Sequence, residues 1–141
     1  MRGVFVDTAG WMACADAADP AYEAACSARD AAMEQGSVLI TTDYVIDEAL
    51  TLIRLRLGLS AAKTWWSQVE GTSRLRWEWV GPARFEKARS LFFRYRDKDY
   101  SFTDCTSLVV MHELKLKQAL TTDHHFQQMS FEVLPRTARR K

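Results

Sequence analysis

Short apolar runs recur along this chain between longer segments of helical character. Val4-Phe5-Val6 and Val38-Leu39-Ile40-Thr41 are β-prone and too short for helices. Leu75 to Val80, Ala119 to Thr122 and Phe131 to Leu134 follow as further strands. Between them the sequence predicts helices over 8–17, 20–35, 43–57, 61–71, from Gly81 to about 95, and from Ser101 to about Lys115. Asp19-Pro20 parts the first two, and Gly36 and Gly58 stop the second and third. Thr42, Asp43 and Ser60 stand as N-caps, and Pro82 opens a helix. Buried strands alternating with helices indicate an α/β fold with a mainly parallel sheet and helices on both faces. The 141 residues suit one domain with a real core, and the basic end over 136–141 is expected to be a mobile tail.

In such sheets ligands bind beyond the carboxyl ends of the strands. Asp7 follows the first strand directly, and Asp123 follows the run ending Thr121-Thr122. Each alone is also an ordinary turn former or cap. Glu48 shares a helix face with Val45, Leu52 and Leu55, an apolar stripe that should face the protein, whereas Arg54 falls on the other side. A carboxylate there needs a cation, or a salt bridge with a residue such as Arg56. Ser101-Phe-Thr-Asp104 has capping-box spacing, yet Asp104 also points with Leu108 and Met111. If the four acids meet, their charges conflict, and a divalent cation removes the conflict. An all-oxygen donor set selects magnesium or manganese over zinc.

Charge is divided along the chain. Residues 1–50 carry two basic and nine acidic residues, a balance of −7, and residues 51–141 carry seventeen and nine, a balance of +8. Such halves can serve a cation and a polyanion, although charge falls this way without function as well. Residues 74–98 hold eight basic residues against three acidic ones, and with Phe92, Phe93, Tyr95 and Tyr100 they fit a single-stranded nucleic-acid path. Leu91, Phe92 and Tyr95 nonetheless have core-like spacing.

Cys14, Cys26 and Cys105 are odd in number and lack a C-x-x-C pair, which argues against a disulfide framework or zinc knuckle. Cys105 beside Asp104 reads as a buried thiol rather than a nucleophile. Asp7 interrupts the N-terminal apolar run, so no signal peptide is expected, no stretch reads as a membrane span, and the expected location is cytoplasmic.

V-F-V-D7-T, V-I-D-E48-A-L, S-F-T-D104-C-T-S and L-T-T-D123-H-H-F occur in this order over nearly the whole chain. In order and spacing they resemble the motifs of PIN-domain ribonucleases, closest to the VapC-like toxins of bacterial toxin–antitoxin pairs. The resemblance implies a three-layer α/β/α sandwich and a magnesium- or manganese-dependent endoribonuclease acting on RNA. It gives Asp7, Glu48, Asp104 and Asp123 the catalytic metal-ligand roles. It also implies a homodimer and, for the toxins, a protein antitoxin. Thr8 and Thr103 or Ser101 match hydroxyl positions near the site, as caps or substrate contacts, and Asp99 is a lesser candidate in the preceding loop. His124 and His125 are expected at the surface or behind the ligands. Of the five tryptophans, adjacent Trp65 and Trp66 fall where relatives bind partners, and core packing explains them equally well.

The alternative is a catalytically inactive PIN-fold module that binds RNA or protein. A phosphoryl-transfer domain ranks third, because Thr8-Ala9-Gly10 follows Asp7 and no lysine precedes Lys63.

Overall fold

The computed structural model describes residues 2–136. Five strands, β1 (Gly3–Val6), β2 (Val38–Thr42), β3 (Leu75–Glu78), β4 (Gln118–Leu120) and β5 (Glu132–Leu134), form one sheet in the order β3-β2-β1-β4-β5. Every neighbouring pair is parallel. Seven helices connect them among the described residues: α1 (Thr8–Ala15), α2 (Tyr22–Glu34), α3 (Asp43–Leu57), α4 (Leu59–Glu70), α5 (Gly81–Arg94), α6 (Phe102–Glu113) and α7 (His125–Gln128). The predicted α/β class with a parallel sheet is the observed one.

The central strand explains the continuous apolar runs. Val4, Phe5 and Val6 are buried without alternation, because β1 has a strand on each side and helices on each face. The chain first adds β2 and β3 on one side of β1, then crosses to add β4 and β5 on the other. Strand order therefore reverses between β1 and β4, the place where open α/β sheets form a crevice. In register, Val6 lies opposite Leu120, so the residues just beyond, Asp7 and Thr121, emerge side by side.

Several boundaries differ from the sequence reading for local reasons. α1 stops at Ala15, because the Asp16 side chain takes up the Ala18 N–H. Asp19 likewise accepts from Ala21 N–H, so Asp19-Pro20 belongs to a turn and α2 starts at Tyr22. β3 ends at Glu78 rather than Val80, whose N–H donates to the Asp43 carboxylate at 2.8 Å. Thr42 caps α3 through Val45 N–H, and Asp43 serves β3's end instead. α4 begins at Leu59 without the expected Ser60 cap. Gly58, at φ +96°, ends α3 and starts α4 in a conformation that favours glycine. α7 was absent from the sequence reading. The expected basic tail lies outside the described residues except for Arg136, which pairs with Glu132 at 2.6 Å. No described helix is long and apolar enough to cross a membrane.

Trp65 is buried and meets Trp11 edge-on at 5.6 Å. Trp66 packs on Trp77, and the outlying tryptophan is Trp79, 68% exposed. Phe126 of α7 is fully buried, its ring 6.4 Å from Phe5.

Gly10 sets the approach of α1 to the sheet. A Cβ there would overlap the Leu120 carbonyl, so α1 can lie against the end of β4 only with glycine at this position. Gly10→Ala should lower unfolding stability by about 1–3 kcal/mol, the usual cost of an overpacked site, read from urea denaturation. An unchanged urea midpoint would contradict this close packing.

Candidate metal centre

Asp7 is the N-cap of α1, and it is only 5% exposed. One carboxylate oxygen accepts from Gly10 N–H at 2.8 Å, the other from the Thr121 hydroxyl at 2.8 Å. Thr121 Oγ1 accepts in turn from Asp123 N–H at 2.9 Å. A short hydrogen-bonded path thus ties the end of β1 to the turn after β4. Asp123 closes that turn by accepting from His125 N–H at 2.9 Å.

The capping box of α6 is formed in both directions. Ser101 Oγ accepts from Asp104 N–H, and Asp104 Oδ2 accepts from Ser101 N–H, each at 3.0 Å. Asp104 is therefore a cap and also lines the crevice. Glu48 reaches it from α3. The inward face of α3 is Val45, Ile46, Ala49 and Ile53, and Glu48 and Leu52 flank it, partly buried. The predicted stripe fails at Leu55, which is 75% exposed, because it shares the outer side of α3 with Thr51 and Arg54, while Ile53 and Leu57 face the core.

Asp7, Glu48, Asp104 and Asp123 line one cavity of about 250 Å³, together with Thr8 and Thr103. Thr8 Oγ1 is buried and has no hydrogen-bond partner in the structure. Ser101 is confined to its capping role and is absent from the wall. Asp99 is exposed in the loop before α6 and is not brought into the cavity. Sequence reasoning overlooked Asp19, which also contributes to the wall, and Thr121, which is buried behind Asp7, whereas Arg56, weighed there as a partner for Glu48, lines the wall without an ion pair among the described residues. Only the strand register, Val6 opposite Leu120, could have found Thr121.

The two histidines take one each of their expected places, at the surface and behind the acids. His124 is exposed, but His125 turns inward, with Nδ1 3.0 Å from Asp104 Oδ2 and 3.3 Å from Asp123 Oδ1. One ligand atom each from Asp104, Asp123 and His125 lie within 4.8 Å of one another.

No ion pair with lysine or arginine is formed by Asp7, Glu48, Asp104 or Asp123 among the described residues. Burial, helped by the charges of Asp123 and Asp104, pushes the Asp7 carboxyl up to about 7 against its two hydrogen bonds. Clustered carboxylate oxygens, with Arg56 on the wall but in no ion pair with them, fit a hard divalent ion. Cys105 is fully buried, and burial first, then Asp104, raises its thiol to about 11, so it stays protonated as expected of a core residue.

The basic segment is less available than its composition suggested. Arg84 pairs with Glu78 and Glu113, Lys87 with Glu113, and Arg89 with Glu86. Arg94, Arg96 and Lys98 remain exposed without an ion pair among the described residues, in the stretch leading to the Asp104 cap. Phe93 beside them is 70% exposed, whereas Phe92 packs on Phe102 at 5.8 Å.

A family model described as PIN domain matches residues 4–132. The chain belongs to the PIN-domain family. Among curated relatives of this PIN domain is the 23S rRNA-specific endonuclease VapC20 of Mycobacterium tuberculosis, 30% identical over 133 residues, covering 94% of this chain and 98% of the relative. Another, ribonuclease VapC26 of the same organism, is 26% identical over 126 residues, covering 87% and 89%. The crystal structure of VapC20, described as a sarcin–ricin loop cleaving toxin, superposes with a TM-score of 0.80 at 28% identity, covering 91% of this chain and 95% of that one.

Asp7 yields a pH prediction for the chelated protein. Its folded value, about 7, stands above the ordinary 3.8, so the native state holds an extra proton between those values. The stability that Asp7 contributes is then fully present below about pH 4 and is lost as pH rises towards 7, by on the order of a few kcal/mol. In EDTA, urea midpoints measured from pH 4 to 8 should fall more steeply for wild type than for Asp7→Asn. Parallel curves would show that Asp7 titrates normally.

Proposed function

We propose that this PIN domain is an endoribonuclease that hydrolyses RNA phosphodiester bonds with magnesium or manganese, and that it is the toxin of a toxin–antitoxin pair. The observation that carries the reading is the convergence of Asp7, Glu48, Asp104 and Asp123 on one cavity without a lysine or arginine partner. These four would hold the cation. When bound, a divalent ion supplies a hydroxide-like water at neutral pH and offsets charge on the phosphorane-like transition state.

The chain's own groups set the rest of the chemistry. Gly10 N–H and the Thr121 hydroxyl fix Asp7 in one orientation. The Ser101 cap fixes Asp104, and the turn at His125 fixes Asp123. Thr8 and Thr103, on the cavity wall, offer hydroxyls to a phosphate oxygen. Arg94, Arg96 and Lys98 extend this grip along the RNA backbone, which makes binding salt-dependent. Phe93 gives an exposed aromatic face for a base. The names of VapC20 and VapC26 support RNA as the substrate, and structured ribosomal RNA is the first target to try.

We take the working form to be a cytoplasmic homodimer bound by a protein antitoxin when inactive. The exposed apolar side chains Leu55, Leu59 and Trp79 offer surface for these partners.

The test is cleavage of defined RNA by matched preparations in magnesium, manganese or EDTA. Asp7→Asn, Glu48→Gln, Asp104→Asn and Asp123→Asn should each cut the rate by about 100-fold or more, since the ion's stabilisation amounts to several kcal/mol. Asp99→Asn should stay near wild type. RNA binding that survives EDTA, with no cleavage under any divalent ion, would instead favour an inactive binding module.

A further inference from the structure

The contacts of Asp104 and Asp123 are unevenly distributed over their oxygens. Asp104 Oδ2 accepts from Ser101 N–H and faces His125 Nδ1, both at 3.0 Å. Asp123 Oδ1 accepts from His125 N–H at 2.9 Å and lies 3.3 Å from the same Nδ1. Asp104 Oδ1 and Asp123 Oδ2 have no hydrogen-bond donor among the described residues. An ionised carboxylate only accepts, so the His125 nitrogen between them carries a hydrogen and donates it. One ring N–H thus bridges one oxygen of each acid and leaves the other oxygen of each unclaimed.

The ring is held in place from several sides. Tyr100, 7% exposed, meets it nearly edge-on at 5.2 Å. The next residue, Phe126, anchors α7 in the core against Phe5 and Phe131. The segment Asp123-His-His-Phe126 therefore does two jobs: Phe126 fixes the helix, and the first turn aims His125 back at the acids. Two carboxylates this close repel, and a donor between them lowers the cost of keeping both pointed at one ion.

We propose that His125 is a positioning residue for the divalent ion. Its Nδ1–H clamps Asp104 and Asp123 so that their unclaimed oxygens are presented together. This rests on the reading of the acidic cavity as a divalent-ion site. His125 itself does not touch the ion.

The test uses the full chain without RNA and follows free Mn2+ by its electron paramagnetic resonance signal. His125→Leu keeps similar bulk but removes the donor, and His125→Gln moves the amide one carbon further out. His125→Asn places an amide N–H where Nδ1 stands. His125→Leu and His125→Gln should weaken Mn2+ binding by about 10–100-fold, while His125→Asn should stay within about threefold of wild type. Should His125→Leu not fold, the contrast between Gln and Asn carries the same test. Equal affinity in wild type and His125→Gln would overturn the proposal, as would a loss in His125→Asn equal to that in His125→Gln, which would assign the effect to ring packing. Failure of the underlying reading has a separate signature: no Mn2+ bound by wild type, or Asp7→Asn binding as tightly as wild type. In that case the clamp has no ion to serve, and the proposal falls with it.

Discussion

The Asp7 carboxylate, buried at the end of the central strand between the Gly10 N–H and the Thr121 hydroxyl, governs the arrangement of this molecule. A buried anion is costly unless something compensates it. The helix N-terminus and one hydroxyl give partial relief, yet burial still lifts the carboxyl to about 7. The nearby charges of Asp123 and Asp104 are part of that rise. The fold places negative charge where it is least comfortable and supplies no lysine or arginine to pair with it. We propose on this ground that a cation from solution completes the site.

The topology makes this placement possible. Asp7 and Asp123 leave neighbouring parallel strands at the point where strand order reverses. α3 and α6 then bring Glu48 and Asp104 to the same crevice. Small residues permit the approach: Gly10 lets α1 lie against Leu120, and the Thr121 hydroxyl bridges the two strand ends by donating to Asp7. The polar path from Asp123 N–H through Thr121 to Asp7 makes the two strand ends one unit.

Much of this was legible in the sequence, because buried strands and capped helices leave local marks. Val4 to Val6, Val38 to Thr42 and the helix over 43–57 are set by apolar runs and by Thr42 and Gly58 at their ends. The four acids stood out by position, after strands or beside apolar helix faces. The less legible parts depend on contacts between distant segments. β3 ends early because Asp43 reaches Val80 across 37 residues of sequence. Thr121 matters only through its register with β1. The sequence left His125 between the surface and a place behind the ligands, because α7 spans four residues and carries no periodicity to choose between them. The basic run over 74–98 looked like an open grip, but Arg84 and Lys87 are paired with Glu113, which sequence order does not place beside them.

The most direct test of the account is the number of protons released when Mn2+ binds, measured by titration calorimetry in buffers of different ionisation enthalpy. If the ion replaces a proton on Asp7, binding at pH 6 should release about one proton, falling towards zero at pH 8.5. Asp7→Asn should show no such release. Binding without proton exchange at pH 6, or the same exchange in Asp7→Asn, would contradict a cation site built around a buried, protonated Asp7.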